Sequence, residues 1–463
     1  MDKLVFRVRK YHAFRLTFKL PQPTNPLSST LLLVCGFGGF ISLGAIMLLF
    51  PISSQSGQFT SPINALFTAT SAVCVTGLVV VDTGTYWSGF GQGVLATLFQ
   101  VGGLGFLIGT TLLLFAISGR FGLKERLVIS EQAGIDELGS ALSLVTKISI
   151  FALVIEGVGA GFIYLNWIIS GNTSYSFGTA LFHSISAFNN CGMDLFGEFK
   201  SLIVSQGDYI FLLLTALLII AGGTGYIVLA DVLKRRKFVK LLLDTKLVLV
   251  TTGMLLLFST LFILLAEFKN PLTLGPMPFT QKLIVAFFQS VSPRTAGFTA
   301  VDIAGLRQAT IFFIMLLMFI GGAAGSTAGG VKVNTIGVLS VTAISLAKGK
   351  HHISAFGRQL TNETVFRAIT LFLVYLMVVG VFTVILSVTE NQPLDSILFE
   401  TFSALGTVGL TFGITPELSS LGRLVLVIAM LVGRLGPLAF MAFLVHRQQT
   451  AELEYPHENI RLG

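Results

Sequence analysis

Residues 66–78 read LFTATSAVCVTGL, in which a Phe is followed, after nine intervening residues, by a Gly and then by a bulky apolar residue. The same spacing recurs three times along the chain, as LFHSISAFNNCGM at 181–193, AFFQSVSPRTAGF at 286–298 and LFETFSALGTVGL at 398–410. The four glycines follow one another at steps of 115, 105 and 112 residues. Four like units at nearly even spacing predict a four-fold arrangement about one axis.

The composition around these motifs is that of a membrane protein. Hydrophobic residues make up 53% of the 463 positions, charged residues only 11%, and the mean hydropathy is +0.84. A soluble domain of this size is far less apolar, so we predict an all-α polytopic membrane protein. A helix needs roughly 20 apolar residues to cross a hydrocarbon core. The stretches that qualify are 28–50, 90–117, 145–168, 209–233, 246–268, 309–347 with an interruption, 366–388 and 420–445.

The charges indicate how the chain is oriented. Basic residues cluster in the first twenty positions and again at 234–240, whereas the connections of opposite parity carry acids such as Asp82, Asp194 and Asp302. We predict a protein of the plasma membrane. By the positive-inside rule both of its termini are cytoplasmic and the four motifs open outward. The net charge of +8 is explained by this topology, and no nucleic-acid partner is predicted.

The motifs and spans together predict a chain of four helix, pore-loop and helix repeats. The eight transmembrane helices and four re-entrant half-helices would surround one pore in pseudo-four-fold symmetry. The predicted boundaries are a basic cytosolic tail at 1–27, repeats at 28–117, 118–233, 234–347 and 348–445, and a cytosolic tail at 446–463.

Each motif ends a segment of about 11 to 13 moderately apolar residues, too short to cross a bilayer but suited to a re-entrant half-helix. Ser61-Pro62, Pro278 and Pro393 supply helix-start signals before three of them. The chain must then leave helical geometry at membrane depth, which is tolerated only where the backbone lies against protein or a water-filled cavity.

The glycines indicate what this irregular backbone does. Successive carbonyl oxygens that point at one axis require unusual φ values, which Gly adopts without steric penalty, and such oxygens replace the hydration shell of a cation. Each half-helix also directs the negative end of its dipole to the axis. Glycine in membrane helices often serves close packing alone, but four copies in equivalent places favour a selectivity filter for a dehydrated alkali cation. Its predicted segments are Cys74-Val75-Thr76-Gly77, Asn189-Asn190-Cys191-Gly192, Arg294-Thr295-Ala296-Gly297 and Gly406-Thr407-Val408-Gly409.

A second site is predicted about 25 residues further along each unit. Gly102-Gly103, Gly222-Gly223, Gly321-Gly322 and Gly433-Arg434 follow their filter glycines by 25, 30, 24 and 24 residues. In the third unit the helix is interrupted by Gly321-Gly322-Ala323-Ala324-Gly325-Ser326-Thr327-Ala328-Gly329-Gly330. Arg434 lies deep within the eighth predicted span, whose other arginine, Arg423, stands near its start, and a charge at such depth usually marks an ion pathway. We predict that Arg434 donates hydrogen bonds to carbonyls of this loop and that the two close the pore, the alternative being an arginine that clamps helix ends.

Three other charged residues lie within apolar segments. Arg294 is predicted to point behind the filter, toward an acidic or carbonyl partner. Glu156 is open to two interpretations, a carboxyl that is paired or protonated within the helix bundle or a group with a role in coupling. Lys332 follows the glycine loop and is either a cavity charge or a residue whose side chain extends to the cytoplasmic surface.

Other functions are less compatible with the sequence. An intramembrane protease needs a nucleophile and a base, yet His183 alone of the six histidines falls in a membrane segment. The loop Gly325 to Lys332 comes close to a phosphate-binding motif, but its Lys is one residue too late. A sodium-coupled secondary transporter of another small cation is the more serious alternative, although such transporters often have inverted repeats, whereas all four pore loops here enter from one face.

The segments TSAVCVTGL, SPRTAGF, SALGTVGL and GGAAGSTAGGVKVNT resemble the Trk/Ktr/HKT superfamily of potassium transporters, most closely its KtrB-type membrane subunit. The resemblance implies potassium uptake through one pathway per chain, with the family's filter glycines at Gly77, Gly192, Gly297 and Gly409. It also implies a homodimer and a cytosolic KtrA-type ring on which ATP and ADP act, so no cofactor is expected in this chain. Each segment has one glycine where the TVGYG filter of potassium channels has two, so weaker discrimination against sodium is expected. Whether sodium activates or couples to transport stays open.

Overall fold

The computed structural model describes residues 26–105, 141–172, 174–350 and 352–436. The predictions for 1–25, 106–140 and 437–463 lie outside the described residues. They concern most of the N-terminal tail, the C-terminal tail and the ends of the second and eighth predicted spans. The described parts are helical apart from connecting loops and one small hairpin, in which β1 (Ser354–Ala355) pairs antiparallel with β2 (Arg358–Gln359).

The helices follow one another in four units of the same order. Each unit has a first helix, a short helix before the motif glycine, and a second helix. The first unit contains α1 (Pro26–Leu49), α2 (Pro62–Val73), the one-turn α3 (Thr83–Tyr86) and α4 (Gly89–Leu104); the second contains α5 (Ala141–Ile169), α6 (Phe177–Phe188), α7 (Tyr209–Thr224) and α8 (Tyr226–Arg235). The third contains α9 (Leu243–Glu267), α10 (Phe279–Val291), α11 (Gln308–Phe319) and α12 (Val333–Ala347); the fourth contains α13 (Asn362–Thr389), α14 (Leu394–Gly406) and α15 (Ser420–Leu435).

The first helices are the most lipid-like in composition. Within the described ranges, Thr146–Ile169, Leu243–Glu267 and Asn362–Thr389 are long and apolar enough to cross a membrane by themselves. The pair α7 and α8 adds a fourth candidate if it is counted as one span. Large apolar side chains such as Leu257 and Val388 are exposed on α9 and α13, at 74% and 84%. Such outward-facing apolar surface suits hydrocarbon rather than water.

The four units close into a ring. Each short helix packs against the first helix of its own unit. The second helix of each unit then packs against the short helix of the next: α4 on α6, α7 on α10, α11 on α14, and α15 back on α2. One apolar core joins the first and fourth units and another joins the second and third. The short helices, of 12 or 13 residues, are thereby surrounded by longer ones.

The second helices are broken more often than the sequence analysis predicted. We predicted continuous spans at 90–117 and 420–445, but α4 ends at Leu104 and α15 ends at Leu435. The next residues, Gly105 and Gly436, have φ of +90° and +88°, which L side chains rarely adopt. Gly225, at φ +89°, separates α7 from α8 at a bend of 96°. Only the third unit was predicted to be interrupted; in the structure the second helix of the second unit is interrupted as well, and α4 and α15 end at glycines beyond which the chain is not described.

Candidate functional site

The four motif glycines lie against one another. A β-carbon added to Gly77 would be 2.0 Å from the carbonyl oxygen of Cys191, the residue before the second glycine. The same relation continues around the ring, from Gly192 to Ala296 O at 2.5 Å, from Gly297 to Val408 O at 2.4 Å, and from Gly409 to Thr76 O at 2.2 Å. Residues more than 100 positions apart in sequence thus form one closed ring in which no side chain has room.

The backbone of each segment alternates in handedness. Each motif glycine has positive φ, between +77° and +92°. The residue two positions earlier also has positive φ: Val75 at 55°, Asn190 at 58°, Thr295 at 72° and Thr407 at 49°. In an ordinary extended chain successive carbonyls point to opposite sides, whereas alternation of handedness turns them to the same side. Sequence analysis anticipated the glycines but not these four residues, whose strained conformation is of the kind found at functional sites.

Serines at the ends of the short helices fasten the segments. Ser71 Oγ and Ser403 Oγ accept hydrogen bonds from the amides of Gly77 and Gly409, both at 3.0 Å. Ser186 Oγ donates to the carbonyl of Met193 at 2.6 Å, and Ser292 Oγ donates to that of Phe298. Sequence analysis did not identify these residues, although every motif has a serine five or six residues before its glycine.

The Arg294 side chain was predicted to point behind the filter toward an acidic or carbonyl partner, and the partner in the structure is a different one. Its Nη2 lies 3.4 Å from the hydroxyl of Thr252 on α9, a helix outside the ring of glycines. The expectation of an acidic or carbonyl partner is therefore wrong for the contact seen in the described residues. The guanidinium is 7% exposed and thus removed from solvent.

An acidic cavity opens directly above the ring. Its volume is about 290 Å³, and it is lined by all four motif glycines together with Asp82, Asp194 and Asp302. Asp82 is held by the amides of Thr85 and Phe199, at 2.9 and 2.7 Å. Burial raises the pKa of Asp194 to about 6, an effect that the neighbouring charge of Asp82 reinforces. Carboxylates around a low-dielectric mouth concentrate cations there.

Glu400 stabilises the loop that follows the fourth filter segment. It is fully buried on α14, and its carboxylate accepts hydrogen bonds from the Thr411 hydroxyl, from the Phe412 amide at 3.1 Å and from Thr415 Oγ1 at 2.9 Å. All three donors follow Gly409 within six residues. No role at this site was predicted for Glu400 from the sequence.

On the other side of the ring, Arg434 joins two units. Its Nη1 donates to the carbonyl of Thr327 in the glycine loop, and its Nη2 donates to the carbonyl of Gly102 at the end of α4. The Gly103 carbonyl lies 3.5 Å from the same nitrogen. The predicted partners Arg434 and residues 321–330 are therefore in contact, and the Gly102–Gly103 turn is a third participant that the sequence did not reveal.

The glycine loop is irregular and held by its neighbours. The amide of Ala323 donates to Gly223 O at 2.9 Å, and that of Gly321 donates to Val331 O at 2.9 Å. Lys332 Nζ donates to Ala328 O at 2.5 Å, so this side chain folds back onto the loop. The loop thus takes the place that a continuous helix would occupy.

The aligned glycine pairs lie at corresponding positions in three units. A β-carbon at Gly102, Gly222 or Gly433 would meet the carbonyl of Val73, Phe188 or Leu405, at 1.7 to 2.0 Å, in the last turn of the adjoining short helix. In the third unit Gly321 instead faces Gly329 O at 2.0 Å, within the loop itself. The third unit is therefore the exception on this side of the ring.

Apolar helices that enclose a ring of backbone carbonyls and an acidic mouth define a membrane transport protein for cations, not an enzyme. The chain belongs to the TrkH family of cation transport proteins, whose profile matches residues 33–452. This confirms the resemblance inferred from the motifs.

Several relatives match over nearly their whole length. The chain is 40% identical to the potassium/sodium uptake protein NtpJ of Enterococcus hirae, over 94% of this chain and 98% of that protein. It is 39% identical to the Ktr system potassium uptake protein B of Bacillus subtilis, over 93% and 96%. The crystal structure of the potassium transporter TrkH from Vibrio parahaemolyticus has the same fold, with a TM-score of 0.72, 18% identity, and coverage of 92% of this chain and 86% of that one.

Proposed function

We propose that this chain takes up potassium across the plasma membrane through a single pathway, with the four segments 74–77, 189–192, 294–297 and 406–409 as its selectivity filter. The observation that carries the proposal is the closed ring of four glycines with alternating backbone handedness, which suits the coordination of a dehydrated cation by carbonyls. Relatives at 40% and 39% identity are named for potassium uptake, which supports potassium as the cargo.

The contacts of Arg434 support a gate beneath this filter. A guanidinium that bridges Thr327 O and Gly102 O connects the third unit's loop to the first unit across the pathway. A fixed positive charge there also opposes the passage of a cation. We propose that conduction requires the loop 321–330 to move away from Arg434.

The same proposal includes orientation and partners. The acidic mouth faces outward, both termini are cytoplasmic, and two copies form a dimer. The segments 234–240 and 348–358 lie together, with the rings of Phe238 and Phe356 6.0 Å apart. We propose this surface as the docking face for a cytosolic KtrA-type ring that binds ATP or ADP and controls the loop.

A flux experiment tests the function directly. The purified chain in potassium-loaded liposomes is expected to take up ⁸⁶Rb⁺, and external K⁺ should compete better than Na⁺, but by a smaller margin than in a filter built from TVGYG segments with two glycines each. Repeating the assay with and without external Na⁺ distinguishes a conduit from a sodium-coupled transporter. No uptake in any cation mixture, with intact protein and with the regulatory subunit added, would refute the assignment.

Uptake should also depend on external pH. Asp194, with its pKa raised to about 6, is charged at pH 8 and neutral at pH 5. Protonation removes a negative charge from the mouth, so the apparent affinity for K⁺ should fall roughly two- to fivefold on acidification, with a midpoint near pH 6. Whole-cell Rb⁺ uptake at subsaturating concentrations, measured from pH 8 to pH 5, checks this.

Two variants assign that pH dependence to Asp194. Asp194→Asn should have low affinity at every pH and no midpoint near 6. Asp82→Asn should keep the titration but move its midpoint to lower pH, because the charge of Asp82 raises the pKa of Asp194. A midpoint that survives in Asp194→Asn would exclude this residue as the source.

A further inference from the structure

Behind the second filter segment lies a cluster of three side chains, of which Glu156 and Asn189 are buried and Gln100 is half-buried. Glu156 on α5 is 1% exposed. Its Oε2 accepts a hydrogen bond from Gln100 Nε2 and its Oε1 accepts one from Asn189 Nδ2, both at 3.0 Å. Asn189 Nδ2 also donates to Gln100 Oε1 at 2.7 Å. The three side chains form a closed triangle between the first and second units.

Two corners of this triangle touch the proposed ion pathway. Asn189 is the first residue of the second filter segment, where α6 ends. Gln100 lies on α4, two residues before Gly102, whose carbonyl receives Arg434. The Asn189 side chain also packs closely against Gly103, the residue after Gly102, since a β-carbon at Gly103 would lie 2.1 Å from Asn189 Oδ1.

We propose that Glu156 is a positioning residue that connects the second filter segment to the Gly102–Gly103 carbonyls that hold Arg434. The inference rests on the proposed gate, and it adds a structural route by which the state of the gate and the geometry of the filter depend on one another.

The chemistry of the triangle requires an acceptor at position 156. Gln100 and Asn189 each direct an amide NH₂ at a different oxygen of Glu156, and a carboxylate can accept at both. A glutamine at 156 would present an NH₂ to one of these donors, and that repulsion is relieved only by movement of Gln100 or Asn189. The Glu156 backbone is itself fixed, because its carbonyl accepts from Ser184 Oγ at 2.7 Å, so the side chains must adjust.

Glu267 offers a matched control. It is likewise fully buried, and its carboxylate accepts hydrogen bonds from the Thr310 hydroxyl, from Thr273 Oγ1 at 2.8 Å, from Asn270 Nδ2 at 2.5 Å and from the Arg307 amide at 3.0 Å. None of these partners belongs to the filter segments or to the loop 321–330. Glu267→Gln therefore removes a buried carboxylate without disturbing the proposed pathway.

The experiment measures ⁸⁶Rb⁺ uptake by liposomes that contain the full chain without a regulatory subunit. Glu156→Gln should raise basal uptake about tenfold in the native background, because loss of the charge-assisted hydrogen bonds loosens the Gly102–Gly103 carbonyls that bind Arg434. It should raise uptake no further in an Arg434→Ala background. In both backgrounds it should alter the ratio of K⁺ to Na⁺ competition, whereas Glu267→Gln should change neither quantity.

The outcomes separate this inference from the gate on which it rests. If Arg434→Ala alone leaves uptake unchanged, the proposed gate fails and the connection to it fails as well. If Arg434→Ala raises uptake, the gate stands. The positioning role is then refuted if Glu156→Gln multiplies the effect of Arg434→Ala, or if Glu156→Gln changes uptake in neither background. Gln100→Met, which keeps the contact between Glu156 and Asn189, provides a second variant and should change uptake in the same direction, but less, should Glu156→Gln fail to fold.

Discussion

Uptake of Rb⁺ should fall at least about 100-fold when Gly77 is replaced by alanine. The added carbon would lie 2.0 Å from the backbone oxygen of Cys191. Real β-carbons do not approach an oxygen so closely, and the obstacle is main chain, which no side-chain rotation removes. The φ of +89° at Gly77 is also unfavourable for alanine.

The effect should be specific to the ring and not to glycine in general. Gly93 lies on α4 in the same unit, has an ordinary φ, and has no neighbour within 4 Å of an added β-carbon. Gly93→Ala should therefore transport normally, with slightly higher helix stability. Uptake is normalised to inserted protein, and the ratio of Rb⁺ to Na⁺ competition is measured in parallel. Native uptake with native preference in Gly77→Ala would overturn the assignment of the filter.

The sequence predicted the parts of the structure that repeat. Four glycines at nearly even spacing were sufficient to predict short helices before them and contact between the four segments, because a positive φ and close packing of four backbones leave few residue types available. The recurring motif also indicated cation transport, since carbonyl oxygens serve that purpose with little help from side chains. The predicted repeat boundaries and site roles stay predictions.

The parts that were missed depend on contacts between units. Val75, Asn190, Thr295 and Thr407 share a left-handed conformation but no residue type, so no local pattern could reveal it. The positive-φ glycines Gly105, Gly225 and Gly436 did have a signal, since each stands three residues after the aligned Gly102, Gly222 or Gly433. Apolar composition on both sides of Gly225 concealed the bend there, because hydropathy does not distinguish a continuous helix from a bent one. The partner of Arg294 depends on α9, 42 residues away in sequence.

Uptake should rise about tenfold or more when Arg434 is replaced by alanine in the absence of a regulatory subunit. The side chain bridges the carbonyls of Thr327 and Gly102, and each such charge-assisted hydrogen bond is worth about 1.5–3 kcal/mol. Its loss shifts the loop toward open arrangements, and the loss of the positive charge lowers the barrier to a cation beneath the filter. Initial rates of ⁸⁶Rb⁺ uptake into liposomes, at equal protein content, measure the change.

Two further arginine variants complete this test. One separates the bridging geometry of Arg434 from its charge, and the other is a control. Arg434→Lys keeps the charge but has a single ammonium, which does not span two carbonyls as a guanidinium fork does. If bridging holds the gate shut, this variant should resemble Arg434→Ala; if the charge alone blocks cations, it should resemble the native chain. Arg423→Ala is the control on the same helix, because that guanidinium binds Asn64 Oδ1 at 2.7 Å and Pro416 O at 2.8 Å, away from the loop. Equal uptake by Arg434→Ala and the native chain would leave the arginine as a clamp between helix ends, and control of transport would then have to reside in the cytoplasmic segments.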